Sequence, residues 1–180
     1  MQPYYTRNAE IYALRDDVKP FLRSYFNSLA AMLNPEVLTL WEHFNHSGAW
    51  DKTHETGYFL HQTREMLVQE RGQELWLAPL ITSNWLKDGL VVSVTNAPTR
   101  FGRVSYHIAS HTRDGAIEAN IEPPVRSKPN AIVLRLRHPD GKALRAVTIN
   151  GQPHTDFDVK KETIRITSEA AKPITIRASY

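Results

Sequence analysis

The chain contains no cysteine and no long hydrophobic run. With 0 cysteines in 180 residues, it can form neither a disulfide framework nor a thiolate site. No apolar run approaches the roughly 20 residues that cross a bilayer, and the first residues lack the charged head and apolar middle of a signal peptide. These absences predict a soluble chain, cytoplasmic by default, with no membrane partner.

The net charge of +3 conceals an asymmetry between the two halves. Residues 1–90 carry 8 Lys and Arg against 11 Asp and Glu, whereas residues 91–180 carry 14 against 8. The basic residues of the second half stand singly, and several alternate with apolar ones, as in residues 133–137. Such alternation is typical of the solvent face of a strand rather than of a basic patch. We therefore expect no nucleic-acid partner.

Two segments of the first half have the periodicity of amphipathic helices. Apolar residues recur at helical spacing from Leu14 to Leu33, which predicts one helix. Pro20 lies inside this pattern, so the helix either begins near Asp17 with the proline in its first turn or is kinked there. A second pattern predicts a helix from Thr53 to Gln69, ended by Gly72.

After Gly72 the periodicity changes to the two-residue alternation of strands. Turn signals such as Asn150-Gly151 separate eight short runs: Glu74–Pro79, Val91–Val94, Val104–Ile108, Ala116–Ile121, Ile132–Leu136, Ala146–Ile149, Thr163–Ile166 and Ile174–Ile176.

This order predicts an α+β chain, with a helical segment over residues 1–72 and an antiparallel β-sandwich over residues 73–180. Two helices cannot close a core of their own. We expect them to pack on the sandwich, on another copy, or on protein outside this sequence.

Chemistry-bearing residues concentrate between the two predicted helices. Half of the eight histidines lie between positions 41 and 61, together with three carboxylates, two tryptophans and a lysine. A carboxylate beside an aromatic ring and imidazoles is suited to moving protons on a polar substrate such as a sugar. The candidate residues are Trp41, Glu42, His43, Trp50, Asp51, His54 and Glu55.

Two other chemistries fit this cluster poorly. His43 and His46 form a His-x-x-His pair, but the His-Glu-x-x-His spacing of zinc sites is absent. On a helix, His54 and His61 would lie two turns apart, about 10 Å, too far to share one ion. Ser47 lacks the Gly-x-Ser-x-Gly turn of a nucleophilic serine. We therefore predict no metal, no cofactor and no serine nucleophile.

A purely structural interpretation of the cluster remains open. In it, Trp41 belongs to the core, Glu42 pairs with Lys52 or Arg64 on the surface, and the histidines are exposed loop residues. Composition alone does not separate this interpretation from the carboxylate site.

The segment Thr39-Leu40-Trp41-Glu42-His43 resembles a segment of the α-L-rhamnosidases and related (α/α)6, or six-hairpin, glycosidases. In that family a Trp-Glu pair near the end of the helical toroid carries the general base, and a small β-sandwich follows the last toroid helix. The resemblance implies that Glu42 activates water, that Trp41 forms a wall of the sugar subsite, and that His54 contacts a substrate hydroxyl. His43, Trp50, Asp51 and Glu55 would be further substrate contacts.

One departure concerns residues 51–55, which do not reproduce the usual Ser-Leu-Asn-His opening of the rhamnosidases. A sibling branch of six-hairpin enzymes therefore fits better than a true rhamnosidase. Because the toroid has twelve helices, the resemblance implies that this chain is a C-terminal portion that packs against the remainder of the barrel or another chain. Its general acid would lie on absent helices, so the isolated chain should be inactive toward its carbohydrate substrate.

Two rival functions follow from the same residues. The first is a non-catalytic carbohydrate-binding or structural β-sandwich module with a helical extension, in which sugar would bind to aromatic residues of the sandwich. The second is an unrelated enzyme built on the histidine cluster.

Overall fold

A computed structural model describes residues 7–167 and 172–180 of the chain. It divides into two compact units, the first ending at Leu67 and the second running from Val68 to Tyr180. In the described residues, helices make up the first unit together with a small hairpin, and strands dominate the second. The predicted α+β class is confirmed. No helix in these residues is long and apolar enough to cross a membrane.

The first unit contains helices α1 (Asn8–Leu14), α2 (Val18–Met32) and α3 (Thr53–Leu67). Between α2 and α3, the two-residue strands β1 (Leu33–Asn34) and β2 (Thr39–Leu40) pair in antiparallel fashion. This hairpin places the segment that follows β2, which contains the candidate residues, between the end of one helix and the start of the next.

The first predicted helix is correct in its body but wrong at its start. The chain leaves helical geometry at Asp16, whose φ is +61°, so Leu14 ends the separate helix α1 instead of opening α2. Asp17 is the N-cap residue of α2, and Pro20 lies in the first turn. The unkinked alternative is therefore the right one, because the first-turn N–H that proline lacks would have no partner within the helix.

The second predicted helix ends earlier than expected. Val68 and Gln69 do not continue α3, because they pair with Leu77 and Trp76 as the start of an antiparallel hairpin. Gly72, with φ of +55°, lies in the turn of that hairpin. The helical pattern extends to Gln69 because Val68 and Gln69 are both buried. In the sequence they therefore resemble residues on the inner face of a helix.

Helices α2 and α3 pack through aromatic side chains. The ring of Tyr25 on α2 lies 6.0 Å from that of Phe21 and 5.9 Å from that of Phe59 on α3. The Tyr25 hydroxyl is 2.7 Å from Oγ1 of Thr63, and burial raises its pKa. Met32, at the end of α2, is fully buried against Leu40 of the hairpin. The face of α2 that the sequence pattern defines is thus the face that packs.

The second unit consists of two sheets in a sandwich-like arrangement. The six-stranded sheet has the order β10-β9-β13-β7-β6-β5 and contains β5 (Val91–Thr99), β6 (Gly102–His111), β7 (Ala116–Glu122), β9 (Ala146–Ile149), β10 (Gln152–His154) and β13 (Ile174–Ser179). The five-stranded sheet has the order β11-β12-β8-β4-β3 and contains β3 (Val68–Arg71), β4 (Glu74–Leu77), β8 (Ala131–Arg135), β11 (Phe157–Asp158) and β12 (Thr163–Ile166).

Each of the eight predicted strand runs contains a strand; the strands that were not predicted are β3, β10 and β11 of this unit and β1 and β2 of the helical unit. The expectation of a wholly antiparallel sandwich is wrong for one pair, because β4 and β8 run parallel, with Glu74 opposite Ala131 and Leu77 opposite Leu134. The chain builds β5, β6 and β7 of the other sheet between them, and this crossover permits the parallel alignment. Asn150 and Gly151 both have positive φ in the turn between β9 and β10, as their dipeptide predicts.

Strand β8 is buried along its whole length, so the expected solvent face around Arg135 is wrong. The Arg135 side chain is buried, and its Nη1 donates a hydrogen bond of 2.6 Å to the carbonyl of Pro79. Its Nε donates to the carbonyl of Lys161 at 3.1 Å. The alternation of apolar and basic residues in the sequence predicts that Arg135 faces solvent. Its guanidinium can be buried because backbone carbonyls accept its hydrogen bonds.

His138 is a second polar residue buried in the sandwich unit. It is 2% exposed, and its ring lies 5.0 Å from that of Tyr180. Its Nδ1 accepts a hydrogen bond of 3.1 Å from the backbone N–H of Asp140. Burial is the main cause that lowers the pKa of the imidazole. The ring is therefore neutral at neutral pH, with its proton on Nε2.

We expect His138 to make the protein less stable as the pH falls below 6.5, the ordinary pKa of histidine. In that range the unfolded chain binds a proton that the folded chain excludes, so the free energy of unfolding decreases with decreasing pH down to the folded-state pKa. His138→Asn keeps an acceptor near Asp140 but does not titrate. Denaturant unfolding at about pH 7.5 and about pH 5.5 should show a smaller pH dependence for this variant than for the wild type.

The control is His111→Asn, at an exposed histidine of β6, which should leave the pH dependence unchanged. Equal pH dependence in His138→Asn and the wild type would contradict the prediction.

Candidate functional site

The candidate residues lie on a loop from Trp41 to Lys52 that is fixed at both ends. The backbone N–H of Trp41 donates to the carbonyl of Met32 at 2.8 Å, at the end of α2. The backbone N–H of Lys52 donates to the carbonyl of Leu40 at 3.0 Å, on β2. The two ends of the loop are thereby held to the hairpin that follows α2.

Within the loop the chain folds back on itself. Glu42 donates its backbone N–H to the carbonyl of Ala49 at 2.7 Å, and His43 donates to Ser47 at 3.0 Å. The reversal passes through Asn45 and His46, which adopt φ values of +61° and +55°. Short polar residues tolerate this left-handed geometry better than β-branched ones. This reversal brings the side chain of Glu42 next to Ala49, in the second half of the loop.

Two groups of the protein hold the Glu42 carboxylate. Its Oε1 lies 2.6 Å from the ammonium of Lys52, and its Oε2 accepts a hydrogen bond of 3.2 Å from the backbone N–H of Ala49. The bond from Lys52, followed by the bond from Ala49, lowers the pKa of Glu42. The side chain is 23% exposed. Glu42 is thus an ionised carboxylate of fixed orientation that solvent reaches.

Gly48 is required by the way the loop wraps around this carboxylate. Its φ is +81°, and a Cβ placed on it would lie 2.9 Å from both Cβ and Oε2 of Glu42. Real Cβ atoms are not found at such distances from other heavy atoms. Any side chain at this position would push Glu42 out of its place.

The aromatic residues of the loop differ in their exposure. The ring of Trp41 is half-buried and stacks on the imidazole of His46, with 6.3 Å between ring centroids and 24° between planes. Trp50 is 50% exposed, while its carbonyl accepts a hydrogen bond of 2.6 Å from the hydroxyl of Thr39. The Trp50 backbone is thus fixed and its indole faces solvent, as does the neighbouring Asp51.

At the start of α3, a second acidic group lies behind an imidazole. Glu55 is fully buried, and its Oε1 lies 2.8 Å from Nε2 of His54, whose side chain is 52% exposed. The short distance places the carboxylate of Glu55 directly behind the exposed imidazole of His54. The pair therefore presents the imidazole, and not the carboxylate, to solvent.

The contacts divide the predicted residues into two groups. Glu42 is joined with Lys52 and Ala49, whereas His54 is joined with Glu55. Lys52 was not among the predicted site residues, although the structural interpretation named it as a partner of Glu42, and that ion pair is present. The opposite charges of Glu42 and Lys52 at the two ends of a short loop are the signal that favours this pair. In residues 7–167 and 172–180, no group of three or more His, Cys, Asp or Glu is placed to hold a metal ion.

Comparisons with known proteins give little further identification. No family model matches the chain, and no curated protein sequence matches it. Among solved structures, it is similar to a chain described as a glycoside hydrolase, at 12% sequence identity and a TM-score of 0.49. That match covers 90% of this chain and 28% of the other. This chain thus spans little more than a quarter of the length of that structure.

We predict that Gly48→Ala disrupts the Glu42 site. The added methyl group strains the left-handed backbone and collides with Glu42, so we expect a loss of about 1–3 kcal/mol in the free energy of unfolding of the helical unit. The pKa of the Glu42 carboxyl, followed by ¹³C NMR, should rise toward its ordinary value because its two donors are displaced.

Gly57→Ala is the matched control. Gly57 lies on α3 with nothing within 4 Å of an added Cβ, and alanine favours a helix by about 0.5–1 kcal/mol over glycine. This variant should be as stable as the wild type or more so. Equal stability of Gly48→Ala and the wild type, with an unchanged Glu42 pKa, would contradict the geometry described for the loop.

Lys52→Gln tests the electrostatics of the site directly. It removes the cation whose hydrogen bond is the largest cause of the lowered pKa of Glu42, so the carboxyl should titrate at higher pH than in the wild type. The same ¹³C NMR titration measures this shift. Lys87→Gln removes an exposed lysine of the other unit and should leave the Glu42 titration unchanged. A Glu42 pKa that is insensitive to Lys52→Gln would show that Lys52 does not hold the carboxylate in solution.

Proposed function

We propose that this chain is the C-terminal portion of a six-hairpin type glycoside hydrolase, with Glu42 as the general base of an inverting mechanism. The observation that carries the proposal is the state of the Glu42 carboxylate, which is ionised, fixed by two donors and open to solvent beside Trp41. It lies on a loop between two helices, as the general base does in the family that residues 39–43 resemble.

The contacts of Glu42 are compatible with base catalysis. An ionised carboxylate has about four acceptor positions, and Lys52 and Ala49 occupy two of them. A water molecule bound at a remaining position would give its proton to Glu42 while its oxygen attacks the anomeric carbon. The glycosidic bond would break in the same step, and the leaving oxygen would take a proton from the general acid. Lys52 keeps Glu42 ionised down to low pH, at the cost of making it a weaker proton acceptor.

In our proposal, neither of the two acidic residues that follow Glu42 on the loop and at the start of α3 serves as the general acid. An inverting enzyme needs a carboxylic acid about 6.5–9.5 Å from the base, on the other side of the scissile bond. Glu55 is fully buried behind His54, and Asp51 is exposed on the same loop as the base. The acid would be supplied by preceding helices of the toroid, so the isolated chain should not hydrolyse glycosides.

The surface of the helical unit supports a partner of this kind. Large apolar side chains are exposed on it, namely Ile11, Leu14, Phe26, Val37, Leu38 and Leu60. Exposed apolar residues mark a surface that another protein element covers where they form one contiguous patch. The remainder of the helical barrel would cover it in the complete enzyme.

The second candidate function is a non-catalytic carbohydrate-binding or structural module. The observation that favours it is the same ion pair, because the Glu42 carboxylate already has a cationic partner at 2.6 Å. In this alternative the pair serves to close the loop, and sugar would bind on the sandwich unit.

Glu42→Gln in the complete protein separates the two functions. The amide keeps the shape and the contact with Ala49 but cannot accept the proton of water, so kcat should fall about 10²–10⁴-fold on any glycoside that the enzyme hydrolyses. The measurement is steady-state turnover with a panel of aryl glycosides.

The matched control is Glu36→Gln, at an exposed glutamate between β1 and β2, which should keep full turnover. If Glu42→Gln retained wild-type turnover, Glu42 would not be the base. Robust hydrolysis by the isolated 180-residue chain would contradict the claim that its acid lies elsewhere.

A further inference from the structure

The outer face of the six-stranded sheet carries a groove that has no part in the Glu42 site. Two cavities of about 400 Å³ and about 290 Å³ lie on this face and share Ser105 and Glu122 as lining residues. The larger also contacts Arg103 and Arg126, and the smaller contacts His107. We name these five residues and the cavities that they line the sheet groove.

Strand register places the polar side chains of the sheet groove in adjacent rows. Ser105 on β6 is opposite Glu122 on β7, and His107 is opposite Asn120. On the other side, His107 is opposite Ser93 of β5. Alternation along β6 directs these side chains outward, while Val104 and Ile108 are buried between the sheets. The groove therefore has a floor of hydroxyl, amide, imidazole and carboxylate groups on a rigid support.

The charged residues of the groove do not neutralise one another. Among residues 7–167 and 172–180, Arg103, Glu122 and Arg126 have no ion pair and no side-chain hydrogen bond. Elsewhere on the same sheet face, by contrast, Arg177 forms an ion pair with Glu118. Within the described part of the chain, two cations and one anion thus remain available to a ligand from solvent.

Backbone hydrogen bonds and close packing restrict the conformation of the loop that forms one wall of the groove. The loop that carries Arg126 is held to Phe101 by two backbone hydrogen bonds, from Arg126 at 3.1 Å and from Ser127 at 2.9 Å. Phe101 is 2% exposed and anchors this wall in the core. At Gly102, with φ of +118°, a Cβ would lie 3.1 Å from the backbone nitrogen of Arg126. The close approach of this loop fixes the position of the Arg126 backbone beside the groove.

We propose that the sheet groove binds an acidic oligosaccharide, with uronate carboxylates held by Arg103 and Arg126. Guanidinium groups bind carboxylates through paired hydrogen bonds. Glu122 supplies an acceptor for sugar hydroxyls. The amide of Asn120 and the hydroxyl of Ser105, whose oxygens already accept from Thr175 and from the backbone N–H of Asn96, supply donors. Val125, which is 80% exposed at the rim, and Pro123 offer apolar contact to the C–H face of a ring. Along β6, the distance from Arg103 to His107 is about 13 Å, enough for more than one sugar ring.

Other ligands fit the sheet groove less well. A peptide that adds a strand needs a sheet edge, whereas these side chains project from the face of β6 and β7, which both lie inside the sheet. A nucleic acid needs stacking aromatics and a uniformly positive surface, and Glu122 would repel its phosphates. The inference does not depend on the role of Glu42.

The test is titration of the 180-residue chain with trigalacturonate, followed by ¹H–¹⁵N NMR and calorimetry. We expect saturable shifts at the amides of Ser105, Glu122 and Arg126. Arg103→Gln and Arg126→Gln should each weaken binding by roughly fivefold or more, since each removes a charge-assisted contact. Arg145→Gln, a charge-matched change at an exposed arginine next to β9, should leave the affinity unchanged.

Glu122→Ala distinguishes a sugar site from simple attraction of an anion. If Glu122 accepts hydroxyl groups, trigalacturonate should bind roughly threefold more weakly to this variant although the groove becomes more positive. Stronger binding to Glu122→Ala would overturn the proposal. So would absence of saturable shifts, equal binding of maltotriose or of triglutamate, or full affinity in both arginine variants. Because the isolated chain and binding alone are measured, failure here leaves the proposed role of Glu42 unaffected.

Discussion

The arrangement of the helical unit around its loop depends on the placement of one carboxylate. Glu42 follows a strand of two residues and is bound by Lys52 and Ala49 from the far side of the loop. The loop can close this tightly only because Gly48 has no side chain. Its two ends are held by Met32 and Leu40, which also form the small core under the hairpin. Closure of the loop and ionisation of Glu42 are therefore linked, and both ends of the loop are held at the small core under the hairpin.

Much of the fold is predictable from the sequence, since periodicity reports which residues are buried in regular elements. All eight predicted strand runs contain strands, and both predicted helices exist in their central parts. Several errors lie where burial has a non-local cause. Val68 and Gln69 match a helix pattern but pair with β4, and Arg135 matches a surface pattern but is satisfied by the carbonyls of Pro79 and Lys161. The parallel pairing of β4 and β8 is likewise invisible to local patterns.

The candidate site was only partly predictable. Its residue types identified the loop, and the ion pair between Glu42 and Lys52 was named as one possibility. The burial of Glu55 behind His54 was not predictable, because a carboxylate at the start of a helix is usually solvated. The sheet groove was missed because its residues are spread over β5, β6 and β7 and meet only through strand register.

Chemical rescue is the sharpest test of our proposal that Glu42 activates the attacking water. In the complete enzyme that we propose, Glu42→Ala would remove the proposed base and leave space beside the anomeric carbon for a small anion. With an activated aryl glycoside and added azide, we expect restored turnover and a glycosyl azide whose anomeric configuration is opposite to that of the substrate. Absence of rescue, or a product with the configuration of the substrate, would contradict it.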